Sequence, residues 1–588
     1  RTPDPAHTGD WAPVPGFTAV GSGLDPRSPV DPLEINVTGD GRIAFTFPTG
    51  ILAADEVGEL ARRWVAALDA LARCPELAGH TPSDFPLVEL SLDDVAAIEA
   101  ASAAPVADIW PLSPLQEGLY FQSRIAGDGD VYIAQDTFDL DSRIDLDALT
   151  RACALLLEQN SALRLGFTDT GLDRPVGVVP AAAAPSVTEI DLSGLAAQER
   201  AARIEEVMAA DRRTPFDLTR PPLLRLTVLR GGAGGGAGGE GADRGDGAGG
   251  GDGADRGDRL LLTRHLLLWD GWSRELVLRR LFGAYGVYRA RRRGDTAALP
   301  GPVPAQFPDY LAWLAEQDDA AAAAAWSARF AGLAEPTILF PEAIGTDPLI
   351  ATRLSVELTE EQTGRLAERA RAIGVTLNSV VGTALALVLG HAAGTDDVVF
   401  GMTVAGRPTE IEGIESVVGV FLNTIPARVR LDPNATMTDA VRGMHDQRAA
   451  MMPHEYLGLG DIQRAVGSAA HPTGQLFDNL FVLQNFVDDA TFTDLQAEHG
   501  ILSAAGVDST HYPLTWVIYP GARLWIKLEY RGDVVPAQTA ARLLGRLERV
   551  LLGLADDLGR RIGELDLTTP ADRAALAATW ERAVHPVG

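Results

Sequence analysis

Residues 231 to 258, GGAGGGAGGEGADRGDGAGGGDGADRGD, hold no apolar residue larger than alanine and carry GADRGD twice. Such a tract has nothing to bury and cannot offset the entropy of ordering its glycines, so it reads as a disordered surface loop. Its flanks, PPLLRLTVLR (221 to 230) and RLLLTRHLLLW (259 to 269), are strong apolar β-runs. A loop without structure of its own most simply joins neighbouring antiparallel strands, so the two runs are expected to pair. The tract lacks GxxxxGK[ST] and a capped helix after it, so its glycines do not point to a phosphate site.

The rest of the chain is globular in composition. At 588 residues with 46% hydrophobic content it exceeds one core, and about three or four folding units are expected. Against 80 acidic residues stand 50 basic ones, a formal charge of −30. That balance repels nucleic acid and anionic membrane over most of the surface. The two cysteines, Cys74 and Cys153, lie far apart in no zinc or redox spacing, which fits a reducing, cytoplasmic setting. RTPDPAHTGDWAPVPG has neither the charged nor the apolar part of a signal peptide, and no run of about twenty apolar residues occurs, so the chain is expected neither to be secreted nor to span a membrane. The 10 histidines form no metal-ligand motif, and no metal is expected.

Two segments share one layout. DPLEINVTGDGRIAFTFPTGILAADEVGELARRWVAALDALA (31 to 72) and YPLTWVIYPGARLWIKLEYRGDVVPAQTAARLLGRLERVLLGLA (512 to 555) both read Pro-Leu, strand, glycine turn, strand, helix. Each is followed by a short segment with a helix start, HTPSDFPLVELSLDDVAAI and GELDLTTPADRAAL. Residues 1 to 100 therefore read as the end of an upstream domain of the same kind plus a linker, and the complete unit starts near Asp108. Within that unit, residues 144 to 167 give an amphipathic helix started near Asp145 and running into a strand. Residues 358 to 394 give two helices broken at Gly374, the second nearly all apolar and so buried. FPDYLAWLAEQ and AAAAAWSARFAGL are also helical. Strands and helices alternate without a regular βαβ cadence, so two α/β lobes with mixed sheets are expected.

Seven stretches between residues 108 and 575 carry the chemistry: DIWPLSPLQEGLYFQS, SALRLGF, HLLLWDGWS, FPDYLAWL, GMTVAGRPTEIEGIESVVGVFLNTIPARV, FDNLFVLQN and HYPLTWVIY. Taken in order, they resemble the core motifs of nonribosomal peptide synthetase condensation domains, a class serving secondary metabolism and antibiotic biosynthesis. HTPSDFPLVEL likewise resembles the segment immediately after an epimerization domain, so residues 1–100 resemble the tail of an epimerization- or condensation-like domain. The resemblance implies an α/β fold of two chloramphenicol-acetyltransferase-like lobes, a V-shaped pseudo-dimer with a central tunnel. It places the first lobe at 108–295, the second at 296–575, and the start of a linker to the next domain at 576–588. It implies as partners donor and acceptor peptidyl carrier domains and the neighbouring adenylation or epimerization domains of the same synthetase. Substrates arrive on phosphopantetheine, no cofactor is bound directly, and the chain is a monomer.

In that family the reaction is placed beside a motif His-His-x-x-x-Asp-Gly, whose second histidine orients or deprotonates the attacking amine. Here His265, Asp270 and Gly271 fill their places, and Leu266 fills that of the second histidine. Leucine has neither a lone pair nor a proton to give, and strand alternation turns His265 to the opposite face, so His265 does not substitute for it. A register pairing Arg264 and His265 with the two histidines needs a bulge. Three readings stand open: a weakened condensation site, an inactive domain that docks carriers or recruits a tailoring enzyme, and a leucine introduced where the natural sequence has histidine. By resemblance, Arg164 in SALRLGF is the ion-pair partner of Asp270. Trp272, Ser273, Asn423, Thr424 and His511 are candidates to line the tunnel, with core packing or satisfied core hydrogen bonds as the alternative for each. Asn479 and Asn485 carry the same two readings.

Overall fold

A computed structural model describes residues 32–37, 42–73, 79–126, 130–233, 257–296, 298–301, 305–346, 349–467, 474–484, 496, 498–508, 510–569, 572–574 and 577. Cys74, Asn485, residues 234–256 of the glycine-rich tract, residues 1–31, and all of the expected linker 576–588 except Ala577 lie outside them. The chain divides into two compact units at Thr81/Pro82.

In the first unit β1 (Glu34–Val37) pairs antiparallel with β2 (Ile43–Thr46), and α1 (Ala54–Ala72) follows. Trp64 of α1 meets Phe45 of β2 edge-on, ring centroids 5.7 Å apart. The two strands and the helix follow in the order that the sequence predicts, and the expected glycine turn, residues 38–41, lies outside the described residues.

The second unit opens with α2 (Leu92–Ala101), started by Ser91, whose hydroxyl accepts the Asp94 N–H at 3.1 Å. Val95 and Ile98 of α2 pack with Phe85 on Ile109 of β3 (Val106–Pro111). Residues 82–100, expected within the upstream fragment and its linker, thus share a core with the start of the complete unit, because Phe85, Val95 and Ile98 are buried there.

The chain continues through α3 (Pro114–Ala126), β4 (Ile133–Leu140) and α4 (Leu146–Gln159), the last capped by Asp145 accepting the Ala148 N–H at 3.1 Å. Then come β5 (Gly166–Thr168), β6 (Val176–Pro180), β7 (Val187–Asp191), α5 (Ala197–Arg213), β8 (Leu224–Arg230), β9 (Arg259–His265) and α6 (Gly271–Arg292). Helices α7 (Phe307–Ala315) and α8 (Asp319–Phe330) lead to β10 (Thr352–Glu357). Helices α9 (Glu360–Ala372) and α10 (Leu377–Ala393) break at Gly374, whose φ of 74° is the left-handed conformation that favours glycine. Strands β11 (Asp397–Val404) and β12 (Asn423–Arg430) precede α11 (Met437–Met451) and α12 (Leu459–Val466). The order ends with β13 (Asn479–Leu483), β14 (Ile501–Val507), β15 (Leu514–Tyr519), β16 (Trp525–Tyr530) and α13 (Ala537–Asp556). Among the described residues no single helix is long and apolar enough to cross a membrane.

Two mixed sheets organise the unit: a five-stranded one ordered β14-β4-β9-β8-β7 and a six-stranded one ordered β10-β16-β15-β13-β11-β12. Strands β3, β6 and β5 form a small third sheet. As the flanks of the glycine-rich tract predict, β8 and β9 pair antiparallel, Leu226 opposite Leu262. The tract's ends belong to the fold, against the expectation for 231–258. Buried Asp258 accepts the N–H groups of Gly231 (3.0 Å) and Ile144 (2.8 Å) and pairs with Arg230, bonds that fix the end of the hairpin from which the tract leaves.

Each sheet carries its own core, with Phe138, Leu226, Leu262 and Phe282 in the first and Leu385, Val399, Trp516 and Leu547 in the second. The boundary at 295/296 does not hold for every element. Phe307, Tyr310 and Leu311 of α7, and Val417 and Phe421 between β11 and β12, pack in the first core. β14 crosses back to pair with β4 at the first sheet's edge. These crossings stitch the lobes together around the site.

Candidate active site

The stretch that carries the motif starts on β9. Ile133 faces His265 and Ala134 faces Arg264 in the antiparallel register, and the Leu266 N–H donates to the Tyr132 carbonyl at 2.9 Å. Alternation along the strand therefore sends Arg264 and Leu266 to one face and His265 to the other. The first face opens on a cavity of about 1990 Å3 between the two large sheets. Tyr132, Arg264, Leu266, Asn423, Thr424 and His511 are among the residues that line it.

Behind the strand, His265 is fully buried. Its Nε2 lies 2.9 Å from Asp130 Oδ2 and 3.2 Å from Ser123 Oγ, and its Nδ1 accepts the Leu267 N–H at 3.1 Å. With Nδ1 used as an acceptor, the ring proton sits on Nε2 and points to Asp130. Burial alone would raise the Asp130 carboxyl. Bonds from His265, from the Tyr132 N–H and from Ser123 outweigh it and hold that carboxyl below its usual range. Both nitrogens of His265 are thus engaged away from the cavity, as the alternation predicts.

After β9 the chain turns, Gln116 Nε2 donating to the Leu267 carbonyl at 2.8 Å, and Asp270 caps α6. Asp270 Oδ1 accepts the Ser273 N–H at 2.9 Å, and Oδ2 accepts the N–H groups of Phe421 and Leu422 at 3.0 and 3.2 Å. Its cationic partner is Arg407, Nη2 to Oδ1 3.6 Å. Arg407 also donates to the carbonyls of Ile414 (2.6 Å) and Val417 (3.0 Å) and to Ser273 Oγ (2.8 Å), and lies over the Phe421 ring at 4.0 Å. Burial, only partly countered by Asp270, holds the Arg407 guanidinium below its usual range. The segment can come this close because Gly406, at φ 60°, faces the Phe421 carbonyl, where a Cβ would stand 1.8 Å from the oxygen.

The pairing of Arg164 with Asp270 is therefore corrected. Arg164 donates to the carbonyls of Leu157 (2.6 Å) and Glu158 (3.0 Å), closing the end of α4, where the last helical carbonyls lack intrahelical partners, and to that of Pro180 (3.2 Å) at the end of β6. Trp272 and Ser273 are corrected too, since neither lines the cavity. Trp272 Nε1 donates to the Glu415 carbonyl at 2.9 Å, and Ser273 Oγ to the Gly419 carbonyl at 2.9 Å. The helix that begins at Gly271 rotates them off the cavity and brings Arg274 round to it, paired with Asp136 at 2.8 Å. Arg274 is a residue that strand-based reasoning missed.

Asn423 and Thr424 line the cavity while serving the fold. Asn423 Nδ2 donates to the carbonyls of Glu455 and Leu457, both at 2.8 Å, and its Oδ1 accepts the Thr424 N–H at 2.9 Å. Asn479 is buried off the cavity, accepting from Trp516 Nε1 at 3.3 Å. His511 Nδ1 lies 2.7 Å from Tyr132 Oη, and burial, then Arg531, push its pKa down to about 4. At neutral pH it is an uncharged imidazole in the cavity wall, reached from Leu266 across the strand pair through Tyr132.

Comparison with known proteins agrees with this geometry. The chain is 30% identical over 569 residues to one of the linear gramicidin synthase proteins of Brevibacillus parabrevis, covering 95% of this chain and 7% of that relative. The chain thus spans a small fraction of the length of the curated relatives it matches. The first condensation domain of the calcium-dependent antibiotic synthetase superposes with a TM-score of 0.59 at 22% identity, over 79% of this chain and 100% of that one. The X-domain from teicoplanin biosynthesis superposes with a TM-score of 0.60 at 22% identity, over 79% and 99%. At such identity the likeness fixes the fold alone, the two-lobed pseudo-dimer expected from the motifs. Residues 106–235 and 252–577 match the family model described as the condensation domain, and with the relative this shows that the chain belongs to the condensation-domain family of nonribosomal peptide synthetases.

Proposed function

We propose that the domain joins a carrier-bound donor aminoacyl or peptidyl thioester to the amine of a carrier-bound acceptor amino acid, and does so without an imidazole from the motif facing the cavity. One observation carries this reading: the frame around Asp270 is complete and the cavity is open, while the side chain that faces it from the motif is Leu266. A general base is worth about 10² to 10⁴ in rate, whereas aligning two reactants supplies effective molarities of about 10⁵ M or more. Aminolysis of an activated thioester therefore persists on alignment alone, slowed by the lost base.

Phosphopantetheine arms of donor and acceptor carrier domains deliver the substrates, adenylation or epimerization domains of the same synthetase are neighbours, and the chain works as a cytoplasmic monomer. The repeat of β1, β2 and α1 by β15, β16 and α13 supports reading residues 1–81 as the end of an upstream domain of the same class.

Leu266 itself favours a second reading, a domain that docks carriers or a tailoring enzyme without turnover. The test is amide formation between pantetheine thioesters. The L266H variant is expected to be about 10² to 10⁴ faster than the present chain. The present chain's log rate is expected to rise with pH up to the acceptor amine's pKa, near about 7.7 for an α-amino group. No amide above background in either variant leaves the docking reading.

A further inference from the structure

Arg264 faces the cavity one position inside Leu266 and is only 4% exposed. Among the described residues no carboxylate pairs with it. Its Nε has no hydrogen-bond partner, and its one bond runs from Nη1 to the Trp269 carbonyl at 3.3 Å. The guanidinium is otherwise held against the Trp269 ring, 4.5 Å from the centroid. The acids around it are engaged elsewhere: Asp136 by Arg274 at 2.8 Å, Asp270 by Arg407 and three N–H groups, and Asp508 by Arg353 at 3.6 Å.

A buried guanidinium with no carboxylate at hydrogen-bonding distance is costly, and the charges of Asp136, Asp508 and Asp270 nearby only partly offset its burial. Scarcity of acids does not explain it in a chain with a formal charge of −30. Trp269 Nε1 and Arg407 Nε are also buried without a partner, but Arg407 has Asp270 as its counter-charge, whereas Arg264 borders the cavity with no carboxylate at hydrogen-bonding distance. We infer that Arg264 is a specificity determinant that binds a carboxylate of the substrate. This inference rests on the condensation reading for where the substrate lies. The α-carboxyl of a carrier-bound amino acid is consumed in its thioester, and the phosphate of the carrier arm sits at the far end of that arm. A negative oxygen at the cavity centre is therefore a side-chain carboxylate, as in aspartate or glutamate, or the free end of a dicarboxylic acyl group. Arginine suits this because its fork meets a carboxylate through two parallel hydrogen bonds.

The experiment uses the whole chain and stable amide analogues of pantetheine thioesters, glutamyl against the isosteric glutaminyl. Each is prepared N-acetylated as donor and with a free amine as acceptor, and binding is followed by calorimetry. In one of the two forms the glutamyl probe is expected to bind about ten- to a hundred-fold tighter. R264M should bring the two within about two-fold of each other, while R264K keeps a reduced preference and serves if R264M does not fold. Equal affinity of the wild-type chain for both probes, in both forms, overturns the inference. So does a preference that R264M leaves intact. An equal slowing by R264M of amide formation from glutamyl and glutaminyl thioesters, with equal binding, overturns it as well, because Arg264 would then act on the oxyanion of the adduct. Amide formation without a carboxylate preference leaves the condensation reading standing, and a preference without amide formation does the reverse.

Discussion

The two faces of the Arg264–Ser273 stretch are built to different standards. Behind it His265 uses both nitrogens, and Asp270, at the cavity's border, accepts three N–H groups beside Arg407. In front of it stand a leucine that offers no polar atom and an arginine with an unpartnered Nε. The rear face holds the fold. Leucine at 266 is therefore compatible with an intact domain, and the signs of chemistry have to be sought on the front.

The comparison breaks most readily at Asp270. D270A strips the acceptor from the N–H groups of Ser273, Phe421 and Leu422 and leaves Arg407 buried without its carboxylate. Removing one partner of a buried pair costs about 3–5 kcal/mol, to be read from urea unfolding. Double-mutant cycles sharpen the assignment of the partner. Asp270 with Arg407 should show a coupling of at least about 1 kcal/mol, and Asp270 with Arg164 should be additive within about 0.5 kcal/mol. A reversed pattern would restore Arg164 as the partner.

A smaller effect belongs to His511 on the front face. Its pKa, about 4 in the folded chain, lies below the ordinary value of about 6.5. The unfolded chain therefore binds the proton more readily, and the stability due to the neutral ring is present above about pH 6.5 and lost as pH falls towards 4. The stability of the wild type relative to H511Q, whose side chain does not titrate, should fall by up to about 3 kcal/mol across that window. A flat difference would mean that the imidazole is solvated and not part of the cavity wall.

What the sequence made legible tracks the range of the interactions. The hairpin of β8 and β9, the Asp145 cap, the break at Gly374 and the repeat of β1, β2 and α1 by β15, β16 and α13 are set by neighbours along the chain. Their signals are local: apolar runs, a helix-starting aspartate, a glycine, a matching order of elements. The opposed faces of His265 and Leu266 were legible from alternation alone. Arg407 lies inside a stretch that carries the family resemblance, yet its pairing with Asp270 depends on residues 405–422 folding back over the start of α6, and no periodicity encodes that return. Trp272 and Ser273 were misplaced because the chain changes from strand to helix at Gly271, where a two-residue period gives way to one of about 3.6. β14, ILSAAGV, escaped notice because it is an edge strand with small residues and little alternation.

The smallest effect tests the front face itself. Leu266 is half-buried and ends in the cavity, so changing it opens no sealed void, and the surroundings need not repack. The L266H variant forfeits part of leucine's transfer energy, about 1 kcal/mol for partial burial, and gains an imidazole on a face that already holds Tyr132 and His511. Its unfolding free energy should stay within about 1 kcal/mol of the present chain while its rate of amide formation rises. A loss of about 3 kcal/mol or more, the range of a well-packed core leucine, would show Leu266 to be packed as tightly as the rear face. The division between a satisfied frame and a permissive front would then fail at the residue on which the function turns.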